Sequence, residues 1–310
     1  MTKKIVAVLA LSLVSSSAFA SQAKNIVTGG GDAGNILCGN GMCGSFYTND
    51  EYNIFWNPAF INGQKNWAIV ENGLDSGTSA GFVTSMGSFN VGAFLNRPTV
   101  NGNGGQALDL IVGGDMGVKW GIGLTQTLSQ DASNTASTTN LKAGVIVADF
   151  EPFAAFSLKD TADGTNSNSD FTVGTRYHYG EWTPYAAFRS QKAAGATDSS
   201  SLWGLGLGRN AKMGDVTMDY SLSYWNTDAG YNLPLALTFT ADAASWLAVR
   251  AGFQHALRGQ GGTTTTLGST FKLGKADLDM VVGQNNGTTG PDSFGFTDDL
   301  FANAGLTYRW

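Results

Sequence analysis

Charge is scarce in this chain of 310 residues: Asp, Glu, Lys and Arg make up 14% of it, against about 25% in an ordinary globular chain. A fold that shows water its whole outer surface needs more charge than that. Proline is down to 6 residues, histidine to 2 and cysteine to 2. After the first twenty residues no apolar run approaches the length of about 20 that a membrane helix needs, so any membrane crossing must be made by strands. Basic residues are also short, with a formal net charge of -6, which excludes a nucleic-acid partner. In their place stand 42 glycines and 11% aromatics, at a mean hydropathy of only -0.07. That balance fits strands with one apolar and one polar face.

The last nine residues show the pattern most clearly. Ala302, Ala304, Leu306, Tyr308 and Trp310 fall on one face, and Asn303, Gly305, Thr307 and Arg309 on the other, a strand of period two. As a bare edge in water such a strand invites aggregation. Leu306, Tyr308 and Trp310 resemble the terminal signal that the assembly machinery reads in Gram-negative outer-membrane β-barrels, with Trp where most such chains end in Phe. The amino terminus agrees with export: Lys3 and Lys4, an apolar run from Ile5 to Val14, then Ser-Ser-Ser-Ala-Phe-Ala make a signal peptide over 1–20, cleaved before Ser21. The expected location is the Gram-negative outer membrane. The expected partners are its lipid and lipopolysaccharide, the assembly machinery, small solutes and, compatibly with the sequence, further copies of the chain.

Residues 21–65 do not read as strand. Cys38 and Cys43, close together in an exported chain, are expected to form a local disulfide, since no further soft metal ligands stand near them. Asn49 or Asp50 suits a helix cap, and Pro58 suits a stop. The box Asp50-x-x-x-Ile54-Phe55-Trp56-Asn57-Pro58-Ala59 resembles one near the amino terminus of the long-chain fatty-acid transporter barrels and of the type IX secretion shuttle barrels. In those families the segment packs inside the barrel as a hatch. The resemblance implies a plug here carrying Tyr52, Phe55, Trp56, Asn57 and Pro58, and a hatch-gated pathway for hydrophobic ligands as one functional expectation.

From residue 66 to 310 the chain reads as a meander. Tight turns are placed near 86–88, 114–115, 151–152, 180–181, 214–215, 243–244 and 274–275, and longer loops near 75, 103, 132, 166, 195, 230, 261 and 290. The fold expected is all-β: a transmembrane, antiparallel, up-and-down barrel of about 16 strands, or 14 if the first strands are weak. Trp67, Tyr179, Trp182, Tyr224, Trp246, Tyr308 and Trp310 are assigned to interfacial girdles. A charge on the lipid face at mid-membrane costs about 2 to 4 kcal/mol. The charged rows must therefore face the lumen: Lys119, Lys142, Arg176, Arg189, Arg250, Lys272 and Arg309, opposed by Asp109, Asp219, Asp277 and Asp279, with His178 on the same parity. For the strand over 152–160, with Phe153 and Phe156 on opposite parities, no face is assigned.

Such a lumen points first to a porin-like channel for passive diffusion of small polar solutes or ions, with a mild anion preference. A structural or adhesive barrel is the third alternative. Catalysis is not expected, because His178 and His255 lack a nucleophile setting, and neither Gly29–Asp32 nor Gly102–Gly105 has the context of a phosphate loop. No cofactor or metal is called for.

Overall fold

The computed structural model describes residues 21–28, 44–73, 77–97, 106–130, 135–161, 169–192, 197–227, 230–259, 262–286 and 300–310. Cys38 and Cys43, and the signal peptide expected over 1–20, lie outside the described residues.

The meander closes into one antiparallel barrel of 16 strands. Its segments in chain order are β1 (Trp67–Gly73), β2 (Gly77–Met86), β3 (Phe89–Leu95), β4 (Gln106–Asp115), β5 (Lys119–Gln130), β6 (Thr135–Ile146), β7 (Phe150–Thr161), β8 (Ser169–Tyr177) and β9 (Trp182–Lys192). They continue as β10 (Ser200–Met213), β11 (Val216–Thr227), β12 (Gly230–Asn232), β13 (Pro234–Ala244), β14 (Leu247–Ala256), β15 (Thr263–Leu273), β16 (Ala276–Asn286) and β17 (Leu300–Arg309). β12 and β13 are one strand interrupted at Leu233, since Trp225 faces Asn232 and Leu222 faces Leu235 in unbroken register. β17 returns to β1, pairing Arg309 with Trp67 and Thr307 with Ile69. Every edge is thereby satisfied.

One rim carries tight hairpins. Gly214 (φ 65°) and Gly274 (φ 75°) occupy the left-handed region that such turns demand and that side chains disfavour. The opposite rim is less uniformly long than its polar sequence suggests: β1 reaches β2 between Gly73 and Gly77, and β11 reaches β12 between Thr227 and Gly230.

Two expectations are corrected. The turn placed at Glu151 and Pro152 lies instead at Val147 to Asp149, closed by the bridge between Val147 and Phe150, and Glu151 and Pro152 belong to β7. Pro152 pairs across to Thr175 of β8 inside the ladder, which is why proline misled the reading. Strand parity now resolves that strand's faces: Phe153 is buried inside and Phe156 exposed outside. Trp67 is the second correction. It is buried within the barrel, 5.7 Å from Phe94 ring to ring, so it cannot serve an outer girdle.

Alternation sorts the remaining wall. Val70, Leu110, Ile122, Leu205, Leu222, Val249, Leu267, Val282 and Leu306 are exposed on the outside, while Asp109, Thr172, Arg176, Asp219, Ser221, Thr238, Arg250 and Asp279 are buried inside. An apolar skin over a polar interior inverts a soluble barrel. The densest hydrophobic packing lies on the inner side, where Phe46, Ile54, Trp56 and Ile61 meet Val83, Phe94, Phe153 and Trp225 of the wall.

Candidate functional site

The described residues preceding β1, 21–28 and 44–66, occupy the lumen. Ser21 caps a one-and-a-half-turn helix, α1 (Gln22–Val27), by accepting from Lys24 N, the local bond a serine at that position is suited to make. Two short 3-10 helices follow, Glu51–Phe55 and Pro58–Gly63. Asp50 stands before the first but makes no capping bond. That helix ends before Pro58, and Pro58 then opens the second. Proline suits a first helical position because its missing N–H would be an orphan there. Asn57 is extended, as a residue before proline prefers to be, and its Oδ1 accepts from Ala59 N at 3.0 Å.

These pieces touch the wall around the circumference. Asn57 Nδ2 donates to Val145 O and Pro152 O at 3.4 Å each. Asn62 Nδ2 donates to Trp120 O at 2.8 Å, and Lys142 Nζ donates to Phe55 O at 2.7 Å. Glu71 of β1 accepts from Gln22 N and from the Tyr52 hydroxyl. On the far side Thr238 Oγ1 donates to Val27 O at 3.1 Å. Two wall glycines are required by closeness alone: a methyl at Gly121 would overlap the Pro58 backbone, and one at Gly144 the Asn57 amide.

Arg176 is the main polar anchor. It is fully buried, pairs with Glu151 and donates to Phe46 O at 3.3 Å, Thr48 O at 2.8 Å and Asn49 Oδ1. Its guanidinium also lies 5.1 Å from the Trp56 ring and 4.8 Å from Phe60, within cation–π range. A single residue thus binds wall, backbone and aromatics together.

The other residues assigned to the lumen have varied surroundings. Arg189 pairs with Asp170, Lys272 with a half-exposed Asp242 at 2.8 Å, and Arg309 with Asp277 at 2.8 Å. Asp219 accepts from Asn210. Arg250 lies 4.0 Å from Asp279. Lys119 is exposed at the start of β5 beside the tight-turn rim. His178 lies at that rim too, Nε2 3.3 Å from Glu151 and Nδ1 3.3 Å from Thr183 Oγ1, and His255 Nδ1 lies 2.8 Å from Thr263 Oγ1.

Sequence reading missed four inward charges: Glu71, Arg97, Glu151 and Asp170. Arg97 holds Asp109 by two bonds of 3.0 Å and stacks 4.0 Å over Phe55. The alternation in β1, with Val70 outside and Ile69 inside, was the available signal for Glu71. Arg97 follows the end of β3, so no strand parity pointed to it. With these four counted, the basic excess behind the expected anion preference shrinks from three to one.

Asp50 is the least satisfied charge. It is buried, and its carboxylate meets only the backbone N–H groups of Tyr52 and Asn53, neither in full hydrogen-bond geometry. Burial pushes its pKa up to about 6, against the pull of Lys24 and Arg176. Burial likewise lowers the Lys24 ammonium. Because the docked Asp50 holds its proton more tightly than a solvated one, docking gains stability as pH falls from above 6 toward 4 and loses it as pH rises through 6. Hydrogen exchange of residues 51–56, corrected for intrinsic rates, is expected to slow on going from pH 7.5 to pH 5 by about an order of magnitude or more. Asp50→Asn should stay slow at both values; equal pH dependence in that variant would contradict the assignment.

Among the described residues, no group of three or more His, Cys, Asp and Glu is placed to hold a metal. No protein-family model and no curated protein matches the chain. Solved structures similar to it include mutants of the Rhodopseudomonas blastica porin. One is 14% identical, with a TM-score of 0.46, over 79% of this chain and 98% of that one. A triple mutant is 10% identical with a TM-score of 0.42 over the same shares.

Proposed function

We propose that this chain is an outer-membrane, porin-like channel whose lumen is held nearly shut by its own residues 21–28 and 44–65, and which passes small polar solutes or ions when that segment shifts. The observation that carries the reading is the ring of contacts from β1 through β17 to a segment that belongs to no strand. The apolar skin supports the membrane setting. An exposed continuous apolar belt of that size would aggregate in water, whereas lipid accepts it.

Catalysis is disfavoured on chemical grounds. Glu151 and Thr183 do flank His178, but Thr183 is buried and Glu151 is already shared with Arg176. A hydroxyl that substrate cannot reach cannot act as a nucleophile.

The second reading, a gated path for apolar ligands, finds in the docked state only a crevice of about one water's size, so it too needs the segment to move. The crevice, between segment and wall, is lined by Tyr52, Phe55, Trp67, Ile69 and Phe94, with Glu71 and Arg97 at its edge. Binding of a fluorescent fatty acid by the intact protein would support that alternative over the polar channel.

The main reading is tested in planar bilayers, after fractionation has placed the heat-modifiable protein in the outer membrane. The mature chain should conduct weakly, and removal of residues 21–60 should raise single-channel conductance about five-fold or more. Unchanged conductance would mean that the segment does not obstruct the path.

A further inference from the structure

The lumen wall has two unlike halves. From β3 to β11 it meets the aromatic side of the segment, where Phe46 lies 5.8 Å from Phe153, 5.3 Å from Tyr185 and 6.5 Å from Trp225. From β14 to β17 it meets α1, whose apolar hold is small: Ala23, Val27 and Ile26 against Val281. The rest of that face is polar. Lys24 there lies within the fields of Glu51, Asp50, Asp279 and Arg250, and acts in turn on Asp219.

Several polar atoms on this side are buried without a well-formed hydrogen bond: both carboxylate oxygens of Asp50, which meet only the Tyr52 and Asn53 N–H groups, Asp279 Oδ2 and Arg250 Nε. Arg250 is only 4% exposed, so water does not reach it past α1 as docked. Buried polar groups are normally paired. A set left open along one face of a lumen is suited to water and ions that enter when the covering element moves away. On the aromatic half the atoms left open among the described residues are Thr48 Oγ1, Ser157 Oγ and His178 Nε2, none of them a carboxylate or guanidinium, and that half would lose far more buried area on opening.

We infer that α1 is the moving gate of the segment, that residues 44–63 are its fixed anchor, and that small monovalent cations pass between α1 and the β14–β17 wall. The inference rests on the plugged-channel reading above and adds to it a route and a charge preference. Lys272 and Arg309 on this wall are already paired with Asp242 and Asp277; of the remaining charges, four carboxylates, Asp50, Glu51, Asp219 and Asp279, outnumber the two cations, Lys24 and Arg250. A low-dielectric constriction with that excess favours cations. The moving element is α1 because it has the smaller apolar contact.

The test locks α1 to the wall. Val27 Cβ lies 3.8 Å from where a Cβ at Gly268 would stand, the usual spacing across a disulfide. Val27→Cys with Gly268→Cys is made in a parent carrying Cys38→Ser and Cys43→Ser, and bond formation is read on a non-reducing gel. Oxidation should lower conductance about five-fold or more, and reductant should restore it to the parent value. Equal conductance in both redox states, with the bond formed, would overturn the gate. Selectivity is measured independently from reversal potentials in a potassium chloride gradient. Asp279→Asn and Asp50→Asn should each reduce the potassium-to-chloride permeability ratio about two-fold, and an unchanged ratio in both would overturn the cation route. If removing residues 21–60 raises conductance but the lock does nothing, only the present inference fails. If that removal has no effect, the plugged-channel reading fails with it.

Discussion

Arg176→Met should release residues 44–63 from the wall and raise conductance to nearly that of the chain lacking residues 21–60. The reason lies in what the guanidinium satisfies. Without it Glu151 is a buried carboxylate left with the His178 ring alone, Phe46 O loses its donor, and Thr48 O keeps only Asn53 Nδ2. Removing one partner of a buried ion pair costs about 3 to 5 kcal/mol, and the stacking on Trp56 and Phe60 adds about 1 kcal/mol more. Undocking is read from proteolysis at residues 44–60 and from single-channel traces. Arg176→Lys restores charge but not the fork that reaches two carbonyls and Asn49, so it should give an intermediate conductance. A protected segment and unchanged traces in the Met variant would show that the aromatic contacts suffice on their own.

Replacing Tyr308 and Trp310 together with Asp should remove the protein from the outer membrane rather than retune its conductance. Leu306, Tyr308 and Trp310 project outward from β17, each about half exposed, and the two rings stack at 6.4 Å. Near an interface a charge on the lipid face costs only about 0 to 1 kcal/mol, too little to prevent insertion by energetics alone. The expected loss is instead one of recognition and closure. β17 is the strand that meets β1, from Trp67 opposite Arg309 to Gly73 opposite Asn303, and a barrel whose last strand is not engaged keeps two open edges in lipid. The amount in the outer-membrane fraction should fall about ten-fold or more, while Trp310→Phe should leave it unchanged. Normal levels of the double Asp variant would show that this strand carries no assembly signal.

The barrel itself was legible in the chain because a strand facing lipid on one side and water on the other obeys a strict period of two, and lipid penalises every exception. Sixteen strands, most hairpin positions and the inward parity of Arg176, Asp219, Arg250 and Asp279 could be read from that rule alone. It failed where the rule has an exemption. Pro152 sits in a ladder instead of a turn, and Trp67 lies inside because aromatic residues from elsewhere in the chain make the lumen there apolar. The box at Asn57 and Pro58 could be seen as a segment that was not strand, and its aromatics as groups needing burial. Where they are buried, and which wall glycines, carbonyls and charges receive them, depends on residues from 19 to 211 positions away. Such contacts leave no local period. Only closure of the barrel brings Glu71, Arg97, Arg176 and Thr238 to face one segment, and so decides that the lumen has an aromatic half that holds and a polar half that α1 covers.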